Sequence, residues 1–265
     1  MFNLVHGAMA LGLIAALAFA TWLASLWRRD VSIVDGMWPV FITSAGVCYA
    51  WLASSLAMNL GNVALTALAL LVAWGVRLCL HITIRNHGQP EDRRYQKIRA
   101  NNQPGFELKS LYIVFGFQAV LAWIVALPFM SLVRAGNDFG VIEFLGLLLA
   151  AIGMTYEAVA DAQLERFKKH ADNRGRVLDT GLWRYSRHPN YFGECCVWWG
   201  FGVAALGTGA WWALASPLLM TALLLKVSGV TLLEKDIGER RPEYARYIRE
   251  TNAFLPGAGR KHGAV

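Results

Sequence analysis

Apolar residues run along this chain in blocks too long and too continuous for a soluble fold. Seven stand out, at 4–27, 31–53, 60–84, 109–133, 139–160, 190–208 and 210–233, with polar stretches between them. About 20 mainly apolar residues carry a helix across the hydrocarbon core of a bilayer. Closed β-barrels are the only other backbone solution there, and the alternation of barrel strands is missing from these blocks. The pattern predicts an all-α polytopic membrane protein, a bundle of seven transmembrane helices.

Composition agrees. Of 265 residues, 56% are apolar and only 16% charged, whereas a soluble domain carries roughly a quarter charged residues. The net charge of +7 gains meaning from its placement. All but Arg77, Arg134 and Lys226 of the 25 basic residues follow spans one, three, five and seven. The bias toward positive cytoplasmic loops then predicts the N-terminus outside and the C-terminus in the cytoplasm. Ala18-Phe-Ala20 resembles a signal-peptide cleavage site, but no Lys or Arg precedes the apolar run, and that run continues to Trp27. The first block is therefore expected to be a span. Cys48, Cys79, Cys195 and Cys196 fall within spans without metal-ligand spacing, so neither disulfides nor a metal site is expected. A nucleic-acid partner is not expected either.

Ionisable residues inside spans are costly and mark candidate chemistry. Asp35 lies in the second span. Arg77 and His81 lie four apart in the third, on one helical face. A buried Asp35 and Arg77 are expected to neutralise each other, and either to lock two helices together or to polarise a substrate carbonyl. Arg85 and Asn86 continue that face to the cytoplasmic surface. At the exit of the fifth span, Glu157, Asp161, Glu165 and Lys168 form one stripe at spacings of three and four. As surface pairs these would contribute only a few tenths of a kcal/mol. At the bilayer boundary, their carboxylates suit ribose hydroxyls or an amide.

The run Thr180-Gly-Leu-Trp-Arg-Tyr-Ser-Arg-His-Pro-Asn-Tyr-Phe-Gly-Glu194 precedes and enters the sixth block. Pro189 suits the first turn of a helix. The free N–H groups and positive dipole of that helix, with Arg184 and Arg187 beside them, predict an anion site. Trp183, Arg184 and Tyr185 also read as interfacial anchors. In the tail, Pro242 is expected to open a short helix with Tyr244, Tyr247 and Ile248 on one side, lying against the protein or the headgroups.

Asp161, Lys168, Arg176, Gly181-Leu-Trp183 and Asn190-Tyr-Phe-Gly-Glu194 together resemble the C-terminal domain of the membrane steroid 5-alpha-reductase family, in its bacterial branch. The resemblance runs from about Ser32 to Pro256 and is strongest over 156–200. It implies one membrane-embedded domain over 1–256, with a cofactor-side half at 139–256 and a flexible tail at 257–265, in a bacterial inner membrane. It implies NADPH as cofactor and reduction of a conjugated carbon–carbon double bond in a lipid-soluble substrate. Asn190 and Glu194 would contact the nicotinamide and ribose, and Asp161, Lys168 and Arg176 the adenosine-phosphate side. Asn86, Glu157, Arg187, His188 and Tyr191 complete the cofactor candidates. On the substrate side, Asp35 falls where the family has a catalytic Glu, but follows Val34 where the family has Gln. Trp74 stands at the position of a tyrosine that polarises the ketone, and Gln89 at that of an arginine. These departures argue against a steroid and leave Asp35, Arg77, His81 and Trp74 as catalytic candidates.

Arg187-His-Pro189 with Tyr191 and Gly193 also resembles membrane isoprenylcysteine and phospholipid methyltransferases, which use S-adenosylmethionine. Glu234 and Pro242-Glu-Tyr-Ala-Arg-Tyr247 fit that pattern. The seven expected spans and the cations Lys168, Arg176 and Arg184 weigh against it, because S-adenosylmethionine carries no phosphate. A transporter or lipid scaffold is the third reading, but the broken inverted repeats of transporters are not evident.

Overall fold

A computed structural model describes residues 2–55, 59–227 and 242–258. Every regular element among the described residues is helical. The α-helices, in chain order, are α1 (Leu4–Arg28), α2 (Ile33–Ser55), α3 (Asn62–Asn86), α4 (Arg93–Asn101), α5 (Phe106–Ser110), α6 (Phe117–Val125), α7 (Leu127–Leu132), α8 (Val141–Lys169), α9 (Pro189–Gly207), α10 (Ala215–Ala222) and α11 (Pro242–Glu250). A π-helical turn, Leu111–Gly116, joins α5 to α6.

Five helical stretches are long and apolar enough to cross a membrane: Leu4–Arg28, Ile33–Ser55, Asn62–Asn86, Phe106–Val125 and Val141–Lys169. They coincide with the first five apolar blocks. The sixth block forms α9 as one helix, but Pro189, Asn190 and Glu194 in its first turns keep it out of that set. The seventh yields a shorter apolar helix, Trp211–Lys226, and residues 228–233 of that block lie outside the described ones. Large apolar side chains such as Leu4, Trp27, Trp51, Ile84, Val141 and Trp211 stand exposed. That outward apolar surface is what hydrocarbon solvates, and the protein is integral to a membrane.

The chain divides into two compact units, Met1–Phe144 with Ala204–Ser216, and Leu145–Val203 with Pro217–Val265. In the first unit, Asn3 caps α1 by accepting the His6 N–H at 3.1 Å. Arg29 ends that helix in a left-handed conformation, φ 54°. Phe41, Ile42, Tyr49, Leu71, Trp74, Phe115 and Phe129 form a fully buried core. Pro39 lies inside α2 and lacks the N–H that would bond to the Asp35 carbonyl one turn earlier.

In the second unit, α8 and α9 meet backbone to backbone. A Cβ on Gly193 would lie 2.6 Å from the Glu157 amide nitrogen, and one on Gly200 2.4 Å from that of Ala150. Small residues at such crossings let helices in lipid approach closely, which is where their packing energy comes from. Leu147, Ala150, Cys195, Trp198 and Phe201 are buried around this seam. The substitution Gly200→Ala is therefore expected to cost about 1–3 kcal/mol by overpacking, read as a lowered Tm in detergent. Gly12→Ala, where nothing lies within 4 Å of the added carbon, is expected to leave Tm unchanged or slightly raised.

Candidate functional site

The first unit builds a charged network where α2 begins. Asp92 caps α4 by accepting the Arg94 N–H at 2.8 Å, which sets Arg94 and Tyr95 in the opening turn of that helix. Arg94 Nη2 lies 2.6 Å from Asp35 Oδ2. The Tyr95 hydroxyl donates to Asp35 Oδ1 at 2.6 Å, and Gln118 Nε2 donates to the Tyr95 oxygen at 3.0 Å. Arg94 Nε also reaches Asp92 at 3.0 Å. One carboxylate thus holds a cation and a phenol while a carboxamide fixes the phenol from α6.

This corrects the expected partner of Asp35, which is Arg94 and not Arg77. The reason is depth. Asp35 is in the first turn of α2, whereas Arg77 lies nine residues before the end of α3. At 1.5 Å per residue the two differ by about 10 Å along antiparallel helices. Arg77 and His81 are half-buried on α3, and Trp74 is fully buried in the core. Asn86 is the last residue of α3, its side-chain oxygen accepting from Arg85 Nε at 3.1 Å.

Beside this network, Glu91 accepts from Arg99 Nη2 at 2.8 Å and from the Val31 N–H at 2.9 Å. Burial pushes the Glu91 carboxyl up, but the hydrogen bonds from Arg99 and Val31, with the Arg99 charge, hold it below its ordinary value. Burial and the Asp35 charge hold the Tyr95 phenol well above its ordinary value. Tyr95 therefore stays protonated at neutral pH, a donor and not a base.

In the second unit, Glu157 and Asp161 are buried on α8, and Asp161 Oδ1 accepts from Asn190 Nδ2 at 3.1 Å. Two candidates that the resemblance assigned to opposite sides of the cofactor thus meet across α8 and α9. The first turn of α9 opens at Pro189, as expected, and Glu194 follows one turn later, half-buried. The Trp183 indole donates to the Ala160 carbonyl at 3.0 Å. Gly181, at φ 62°, sits so close to Gln163 that an added Cβ would lie 2.6 Å from its Oε1. Lys168, Arg176 and Arg184 are exposed.

Arg187 and His188 are both buried. The Arg187 guanidinium donates to the Ile248 carbonyl at 3.0 Å and to that of Thr251, and the Arg187 backbone N–H donates to Asn252 O at 2.9 Å. The positive side chain thereby satisfies carbonyls at the C-terminal end of α11, where a cation also matches the helix dipole. Tyr247 donates to the Trp183 carbonyl, Ser186 Oγ to Phe254 O at 2.8 Å, and the Gly257 N–H to Tyr185 O at 3.1 Å. Tyr244 and Tyr247 of α11 are buried, while Ile248 is exposed. The His188 ring stacks on Tyr191, 5.5 Å between centroids.

Sequence reasoning missed Tyr95, Arg94 and Gln118, and the clamp on the 180–188 run. The signal for the first was present: Asp92-Arg-Arg-Tyr95 is a capped helix start between two spans. Glu234 lies outside the described residues. Among the described residues, no group of three His, Cys, Asp or Glu side chains is placed to hold a metal ion.

Two outcomes follow. Each hydrogen bond from a charged group is worth about 1.5–3 kcal/mol, so Arg187→Gln should free the 242–257 segment and raise the rate of tryptic cleavage at Arg246 or Arg249 at least tenfold. Glu91 contributes stability above the ordinary carboxylate value and loses it as pH falls through its lower folded value. Between about pH 5 and about pH 3, Glu91→Gln should therefore show a shallower loss of Tm than the parent protein.

A family model of a protein of unknown function, DUF1295, matches residues 21–251. An uncharacterized protein of Schizosaccharomyces pombe is 26% identical over 269 residues, covering 91% of this chain and 77% of that protein. Steroid 5-alpha-reductase DET2 of Gossypium hirsutum is 30% identical over 105 residues, 37% of this chain and 40% of that protein's length. No solved structure matches. The family match extends from the first span through α11 and takes in both the Asp35 network and the α8–α9 pair: the chain belongs to the DUF1295 family.

Proposed function

We propose that this protein is an integral-membrane, NADPH-dependent reductase of a conjugated double bond in a lipid-soluble substrate, with seven spans and a cytoplasmic C-terminus. One observation carries the reading: Asp161 and Asn190 meet by a hydrogen bond at 3.1 Å at the polar end of a membrane helix, with Glu157 buried one turn away. The partial likeness to a steroid 5-alpha-reductase supports it.

The residues fit the cofactor by their chemistry. Exposed Lys168, Arg176 and Arg184 suit phosphates, and Arg in particular suits their planar, bidentate recognition. Asp161, Asn190, Glu157 and Glu194 suit ribose hydroxyls and a carboxamide. Arg187 orders the loop by holding the tail, which makes its contribution to cofactor binding one of position. When bound, NADPH supplies the hydride that adds to the β-carbon of the enone.

Within the first unit, Tyr95 stays protonated at neutral pH and its hydroxyl is held by Asp35 and Gln118, while Arg94 holds Asp35. Trp74 lies fully buried in the core of that unit.

Binding of NADPH, NADH and S-adenosylmethionine to the purified protein tests the reading. At a hundredfold excess over Kd, the correct cofactor stabilises the fold by about 2.7 kcal/mol. We expect NADPH to raise Tm and Asn190→Ala to abolish that rise. A rise with S-adenosylmethionine alone would overturn the proposal in favour of a lipid methyltransferase.

A further inference from the structure

Arg29 occupies a place where glycine costs nothing. It ends α1 in the left-handed region at φ 54° and is the sole non-glycine residue with positive φ among the described ones. Helices commonly end there on Gly, because a side chain makes the conformation unfavourable. An outlier of this kind points to a use for the side chain. Arg29 is exposed, beside exposed Arg28 and beside Trp27, which is 88% exposed.

The Arg28-Arg29 turn is tied to the start of α4 through the Val31 N–H on Glu91. α4 is amphipathic. Tyr95 is buried against the unit, while Arg93, Gln96, Lys97 and Ala100 form its exposed face at helical spacing. The acids at this end are turned to internal partners: Asp30 to Ser32, Asp35 and Asp92 to Arg94, Glu91 to Arg99. Glu107 lies 3.8 Å from Arg99. Arg28, Arg29, Arg93 and Lys97 are left facing outward, and no carboxylate among the described residues pairs with them. Exposed Ile84 and Leu108 continue the apolar belt at the same end. Cations just beyond an apolar and tryptophan rim are what the headgroup layer of a bilayer meets.

We infer that Trp27, Arg28 and Arg29, with Arg93 and Lys97 of α4, form a docking surface for the phosphate headgroups of anionic phospholipids. The inference does not depend on the reductase reading, since none of these side chains serves the cofactor or the substrate. The surface seats α4 on the bilayer, and α4 carries the Arg94 and Tyr95 that hold Asp35.

The test uses the full-length protein in nanodiscs of phosphatidylcholine alone and with phosphatidylglycerol. We expect phosphatidylglycerol to raise Tm by several degrees. Arg28→Gln, Arg29→Gln, Arg93→Gln and Lys97→Gln combined should remove the rise, with anionic-lipid affinity falling roughly fivefold for each cation removed. Arg29→Gly separates binding from folding. It relieves the left-handed backbone, so Tm in phosphatidylcholine should hold or increase while the rise with phosphatidylglycerol shrinks. A full rise retained in Arg29→Gly and in the combined variant overturns the proposal, as does equal Tm of the parent protein in both lipids. A rise reproduced by inorganic phosphate in phosphatidylcholine discs overturns it in favour of a soluble anion.

Discussion

A carboxylate at the edge of hydrocarbon has to be met by a partner, and this requirement organises both units. Leaving it bare would cost several kcal/mol. Asp35 is met by Arg94 and Tyr95, which ties the start of α2 to the short helix α4. Asp161 is met by Asn190, which ties α8 to the first turn of α9 above the glycine seam. In each case the polar contact sits at the end of a span, and the apolar packing begins below it. Specificity of register comes from the former, and most of the packing attraction from the latter.

The five longest spans were legible because backbone in lipid leaves few alternatives: a continuous apolar block becomes a helix over its whole length. The opening of α9 at Pro189 and of α11 at Pro242 was legible for an equally local reason, the fixed φ of proline. Asp161 and Asn190 were each legible as candidates, but their contact was not, because spacing within one helix does not say which residue of another helix it faces. The partner of Asp35 was not legible either. Sequence distance along a span carries depth information, and Asp35 and Arg77 fail that test once the helix ends are known. α4 was hidden by composition, since nine mostly polar residues between spans read as a loop until Asp92 is recognised as a cap and Tyr95 as its buried face.

The 180–194 run shows how one motif can serve two purposes. Its first half folds as a short 3₁₀ turn, Gly181–Arg184; the Trp183 and Tyr185 carbonyls and the Ser186 hydroxyl bind the tail, and Arg187 turns back to close the end of α11. Its second half, from Pro189, begins a helix and offers Asn190 to Asp161. Charge alone could not distinguish these roles: Arg184 and Arg187 are three apart, yet one is exposed and the other buried. The apparent anion site is thus smaller than its count of basic residues suggests, and the loop gains its order from carbonyl–guanidinium bonds.

The depth of the polar groups in the first unit follows from the same constraint. Trp74 lies on α3 twelve residues before its end, about 18 Å along the helix at 1.5 Å per residue, and is fully buried among apolar side chains. Tyr95 is on α4, between two spans, with its hydroxyl bonded to Asp35 and Gln118. A phenol there finds its partners at the ends of the spans, whereas one at the level of Trp74 would be desolvated and would need a polar partner carried down with it. The polar contacts of this unit are therefore cheapest at the span ends, which is where Asp35, Arg94 and Tyr95 meet.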